Sequence, residues 1–132
     1  MINLPQEQKI WVPWMRRAIQ LALLAEGRTS PNPLVGAVVL DSSGRLVGEG
    51  YHSGAGNSHA EIEALAQARE KSANGTIVVT LEPCCHHGLT PPCTDIIIKS
   101  KISEVIYSVA DIDKRVKNKS LKILKSNNIK VK

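Results

Sequence analysis

Two short stretches constrain this chain more than anything else in it. One is His59-Ala60-Glu61. The other starts at Glu82-Pro83-Cys84 and runs through Cys85-His86-His87-Gly88-Leu89-Thr90-Pro91-Pro92 to Cys93. They hold metal-ligand residue types, and a fold that uses them must bring them together. One histidine and two cysteines make three zinc ligands, leaving the fourth position open, as catalytic zinc sites do. Mixed nitrogen and sulfur ligands suit zinc better than iron. Cys84 and Cys93 are the expected cysteine ligands, since adjacent cysteines in a turn do not readily both point at one ion. Cys85 is then a pocket wall or apolar filler.

Local patterns say where the stretches lie. Thr76-Ile77-Val78-Val79-Thr80-Leu81 reads as a strand, with the cysteine stretch at its C-terminal end, where sites gather in α/β sheets. Ser58 is a candidate N-cap of a helix running to about Lys71, with Glu61 three residues on, a capping-box pattern. In that helix Ile62, Leu65 and Ala66 are expected to face the core. Ligand-type residues therefore stand at the start of one helix and the end of the next strand.

The rest of the chain alternates. Residues 1–12 read as a loose lead-in, followed by a helix over about Pro13–Glu26, with Met15, Ile19, Ala22 and Leu23 on one face and Gly27 as its stop. Thr29-Ser30-Pro31-Asn32-Pro33 is a loop in which two prolines restrain Asn32. Val35–Leu40 and Leu46–His52 form a hairpin about the turn Asp41-Ser42-Ser43-Gly44-Arg45. The hairpin's glycines admit a second backbone or a ligand at close range. A helix is expected over Thr94–Lys101, a strand over Glu104–Ala110, a helix over Ser120–Ser126 and an edge strand over Asn128–Val131. This order predicts one domain spanning residues 1–132, a three-layer α/β/α sandwich with a mixed central sheet.

Composition narrows the function classes. The 132 residues suffice for one core, and with two Trp, two Tyr and no Phe that core is built from Val, Ile, Leu and Ala. Three cysteines within ten positions fit metal ligation in a reducing cytoplasm better than a secreted disulfide framework. No stretch resembles a signal peptide or a membrane span. The net charge of +5 is uneven: residues 101–132 carry nine Lys/Arg against three Asp/Glu, the first hundred eight against nine. A solvated terminal helix accounts for this tail. Nucleic acid is disfavoured, with few aromatics to stack bases.

His-x-Glu followed by Pro-Cys and a further Cys is the signature of zinc deaminases acting on nucleobases. In such chemistry zinc lowers the pKa of water. Glu61, offset from the histidine's helix face, would carry the proton to the substrate ring and then to departing ammonia.

The pattern is more specific still. Thr29-Ser30-Pro31-Asn32-Pro33-x-Val35-Gly36-Ala37-Val38, Gly48-x-Gly50-x-His52, His59-Ala60-Glu61 and Glu82-Pro83-Cys84-x-His86-His87-Gly88-x-Thr90-Pro91-Pro92-Cys93 closely resemble the deaminase domain of the bacterial riboflavin-biosynthesis deaminase/reductase. The resemblance covers most of residues 14–110. It implies a cytidine-deaminase-like fold and one zinc per chain on His59, Cys84 and Cys93, with Glu61 as catalytic proton shuttle. It also implies substrate contacts at Asn32, His52 and His86. The implied substrate is a diamino-ribosylamino-pyrimidinone 5′-phosphate, converted to the amino-uracil with loss of ammonia. The chain departs from that family at Leu89, where a basic residue is usual, in Asp111-Ile112-Asp113-Lys114, and at Asn118 and Ser120, where glycines are usual. It carries no Gly-rich dinucleotide fingerprint, so the reductase would be a separate or fused partner. A homo-oligomer is compatible with the edge strand and apolar helices. Two other readings remain: a deaminase for another aminated heterocycle such as a base in RNA, and a non-catalytic zinc-stabilised partner domain.

Overall fold

Long β-branched runs without polar alternation belong in strands covered on both faces, and this chain has three: Gly36–Leu40, Thr76–Leu81 and Glu104–Val109. In a computed structural model, which describes residues 6–24, 34–52, 59–83, 92–109 and 119–132, they are strands β1, β3 and β4. Leu46–Tyr51 is β2 and Lys130–Val131 is β5. The helices are α1 (Gln6–Leu23), α2 (Ala60–Ala68, continued as a short 3-10 turn to Ser72), α3 (Cys93–Lys99) and α4 (Lys119–Ser126). Among them none is long and apolar enough to cross a membrane.

The sheet order is β2-β1-β3-β4-β5. β1 is antiparallel to both β2 and β3, whereas β3/β4 and β4/β5 are parallel. Four strands thus run one way and β1 alone runs the other. The C-terminal ends of β2, β3 and β4 and the start of β1 share one edge of the sheet.

Successive side chains on a strand point to opposite faces, and both faces are filled. Ala37, Val39, Ile77, Val79 and Val105 pack with Ala64 and Leu65 of α2, Ile97 of α3 and Leu124 of α4. Val38, Leu40, Val78 and Ile106 pack on the other side with Ala18 and Leu21 of α1. The three-layer α/β/α sandwich with a mixed sheet is therefore what forms. Each fully buried valine contributes about 1.5–3 kcal/mol relative to exposure.

The hairpin turn is held by one side chain. The Asp41 carboxylate accepts from the Ser43 N–H, the Ser43 hydroxyl and the Arg45 N–H, at 2.7–2.9 Å. These bonds, Arg45's first, hold its carboxyl below the usual carboxylate range.

The helices differ from the sequence expectation in three ways. First, α1 starts at Gln6, so residues 6–12 are helix rather than lead-in, and Pro13 lies inside it. Second, α1 is rotated. Ala18, Leu21 and Ala22 are buried and Trp11, Trp14 and Met15 half-buried, while Ile19 and Leu23, expected inside, are 45% and 53% exposed. The two indoles explain the rotation, since they offer more apolar area than the aliphatic residues they displace. Gly36 lets α1 approach, because a Cβ there would be driven into the Ala18 carbonyl. Third, α2 starts one residue later than read: His59 is its N-cap, extended at φ −69°, ψ 159°, with no side-chain cap bond. Glu61 then falls at the second helical position, where a capping box does not form. On α2 Leu65 is buried as expected, Ile62 is half-buried, and Ala66 is exposed, its place in the core taken by Ala64 and Ala68. Ser58 and Gly27 lie outside the described residues.

Candidate active site

Topology alone brings separate segments to the shared edge. β2 ends there and delivers His52, which is buried and whose N–H donates to the Val35 carbonyl at 3.1 Å. Helix α2 starts there and delivers His59 and Glu61. β3 ends there in Glu82-Pro83, both buried, and α3 starts with buried Cys93.

These side chains converge. His59 Nδ1 lies 3.3 Å from Cys93 Sγ, and the His52 and His59 rings meet edge-on, centroids 5.3 Å apart at 80°. Glu61 is 4% exposed on the first turn of α2. Its position depends on Gly50 of β2, where a Cβ would stand 2.6 Å from the Glu63 Cβ and 2.7 Å from the Ala64 nitrogen. The bare backbone at Gly50 lets the start of α2 lie on the hairpin, so the hairpin glycines admit a backbone here.

Of the seven residues singled out from sequence, His52, His59 and Cys93 come together at this edge, and Glu61 is buried on the first turn of the helix that starts there. Asn32, Cys84 and His86 lie outside the described residues, as do Cys85 and Leu89. Among the described residues no group of three or more His, Cys, Asp or Glu could hold a metal ion. The donor pair still fits one: zinc with nitrogen at about 2.0–2.1 Å and sulfur at about 2.3 Å in tetrahedral angles separates the two by about 3.5 Å. The observed 3.3 Å is close to that.

Sequence reasoning missed one contact beside the site. Glu82 is 2% exposed, and its Oε2 accepts a 2.5 Å hydrogen bond from the hydroxyl of Ser120, 0% exposed at the start of α4. Tyr107 of β4 has its phenol pushed upward, by burial first and by the Glu82 charge second. Glu82 stood in the quoted motif, but nothing in the sequence points to a partner 38 positions away.

An edge built from the ends of three same-direction strands, with His and Cys converging beside a buried Glu, defines a class. The chain belongs to the family described as cytidine and deoxycytidylate deaminase zinc-binding region, whose sequence model matches residues 10–109. Its relatives narrow the class. It is 47% identical over 119 residues to the diaminohydroxyphosphoribosylamino-pyrimidine deaminase of Buchnera aphidicola subsp. Acyrthosiphon pisum, covering 90% of this chain and 80% of that one. It is 48% identical over 118 residues to the riboflavin biosynthesis protein RibD of Aquifex aeolicus, covering 89% of this chain and 33% of the other. The Acinetobacter baumannii RibD structure, form 2, superposes with a TM-score of 0.93 at 42% identity, over 96% of this chain and 36% of that one. The chain thus spans about a third of the RibD proteins it matches.

Proposed function

We propose that the chain hydrolyses the exocyclic amine of a diamino-ribosylamino-pyrimidinone 5′-phosphate, giving the amino-uracil 5′-phosphate and ammonia, a step of riboflavin biosynthesis. One C–N bond breaks, one C–O bond forms, and water supplies the oxygen. The observation that carries the reading is the approach of His59 Nδ1 to Cys93 Sγ, 3.3 Å apart, with Glu61 buried on the first turn of the helix that His59 caps.

His59, Cys93 and Cys84 would hold one zinc per chain. Bound zinc makes water acidic enough to react near neutral pH. Glu61 carries one proton of the water to the ring nitrogen as the C–O bond forms, and then the proton of the new hydroxyl to the amine, which leaves as ammonia. Its burial keeps it off bulk solvent, and its place two residues from His59 keeps it beside the metal without ligating it. His52, edge-on to His59, is read as a substrate contact, together with Asn32 and His86. Residues 1–132 are read as one deaminase domain acting in the cytoplasm, compatible with a homo-oligomer and with a reductase, fused or separate, that takes the product.

The test is ammonia release from the diamino-pyrimidinone substrate by zinc-loaded protein. Glu61→Gln is expected to lower kcat by about 10²–10⁴-fold with zinc content unchanged. Turnover in Glu61→Gln equal to the parent's would overturn the assignment of Glu61. No turnover by the zinc-loaded parent would overturn the substrate assignment.

A further inference from the structure

A carboxylate sealed from water is costly unless it is hydrogen-bonded. Glu82 is such a group, and one of its oxygens accepts from the Ser120 hydroxyl at 2.5 Å. The bond ties the end of β3 to the first turn of α4. Glu82 follows Leu81, which pairs with Val109 of β4, so it stands between its neighbouring strand and a helix. Pro83 follows, fully buried and with its φ fixed by the ring. The next residue in the sequence is Cys84. The carboxylate is thus clamped where the chain leaves β3 for the cysteine stretch.

We propose that Glu82 is a positioning residue, held by Ser120, that fixes how the chain leaves β3 for the cysteine stretch and thereby supports zinc binding. The inference rests on the reading of Cys84 as a zinc ligand. In it, the Ser120–Glu82 hydrogen bond links α4 to the metal site.

Two readouts independent of turnover test this on the whole chain: the rate of zinc transfer to an excess of chromophoric chelator, and the thiolate-to-cobalt charge-transfer band of the Co²⁺-substituted protein. Ser120→Ala is expected to release zinc about 10–100-fold faster and to alter the cobalt band. Ser120→Thr, which restores a hydroxyl, should recover much of the loss. Glu82→Gln should move both readouts in the same direction, and the double variant should release zinc no faster than the faster single one. Leu124→Ala removes a fully buried side chain from the same helix. It should lower the Tm and leave both readouts in place, which separates positioning from general loss of stability. Zinc release from Ser120→Ala within twofold of the parent's would overturn the inference alone. Failure of the parent chain to hold zinc would overturn the ligand reading and the inference with it.

Discussion

Two carboxylates, Glu61 and Glu82, are buried at one edge of the sheet, and a third, Glu49 of β2, shows how an accessible one behaves. Arg17 of α1 grips Glu49 with two parallel bonds, Nε to Oε1 at 2.7 Å and an Nη to Oε2 at 2.9 Å. The hydrogen bond from Arg17 first, and its charge after desolvation, set the Glu49 carboxyl below its ordinary value. The folded state therefore binds the proton more weakly than the unfolded chain does. The resulting stabilisation is complete above the ordinary glutamate range and is lost as pH falls through the lowered folded value. Glu49→Gln should accordingly lower the Tm at pH 7, and the gap should close as the solution is acidified below about pH 4. A gap that persisted in acid would show that the pair acts through shape and not charge. At this scale the sequence was readable where chemistry is written in short motifs. Residue type and spacing single out His59, Glu61 and Cys93, and the fold brings His59 against Cys93. Ser120 and Glu82 could not be paired, because their contact depends on where α4 packs.

Elements were legible to different degrees, for physical reasons. The strands stood out because β-branched runs are interrupted by a turn whose Asp41 side chain organises it. The edge strand proved shorter than expected, two residues instead of four. The helix faces were harder. On α1, reading the helix from Pro13 left Trp11 out of the count, and without that indole the apolar stripe points the wrong way. On α2, Ser58 and Glu61 fit a capping box by spacing, but the helix starts at Ala60, with His59 as N-cap turned toward Cys93. The contact between Gly50 and α2 gives this scale its prediction. Gly50→Ala should destabilise the fold by about 1–3 kcal/mol, as overpacking does, and, on the proposal that His59 at the start of α2 is a zinc ligand, should reduce zinc affinity. Urea unfolding and zinc titration check the two parts. Full stability with an added methyl would mean that α2 can lift off the hairpin without cost.

For the whole molecule, strand direction decides most. β1, β3 and β4 have neighbours on both sides and apolar layers above and below, whereas β5 contributes two residues at the border. Native-state hydrogen exchange should follow that order. The amides of Val38, Val78 and Val105 should open only with global unfolding, and those at Lys130 and Val131 well before. Equal protection across the sheet would contradict the layered core as described. A mixed sheet with helices on both sides was foreseeable from the succession of elements. That β1 alone is reversed was not, since strand order is set by docking between distant segments.

That reversal has a consequence in time. The β1/β2 hairpin joins residues that are near neighbours in the chain, as Leu40 with Leu46, but β1 also pairs with β3, as Leu40 with Thr76. Closing a loop of that length brings no reward until many contacts form together, which makes it slow compared with hairpin formation. His52 and Tyr51 can therefore be arranged early, while Pro83 and Cys93 reach the common edge only after β3 has docked. In a chain stalled at the hairpin, the formed part carries none of the residues read as metal ligands, His59, Cys84 and Cys93. On the proposed ligand set, capture of a metal waits for β3 to dock.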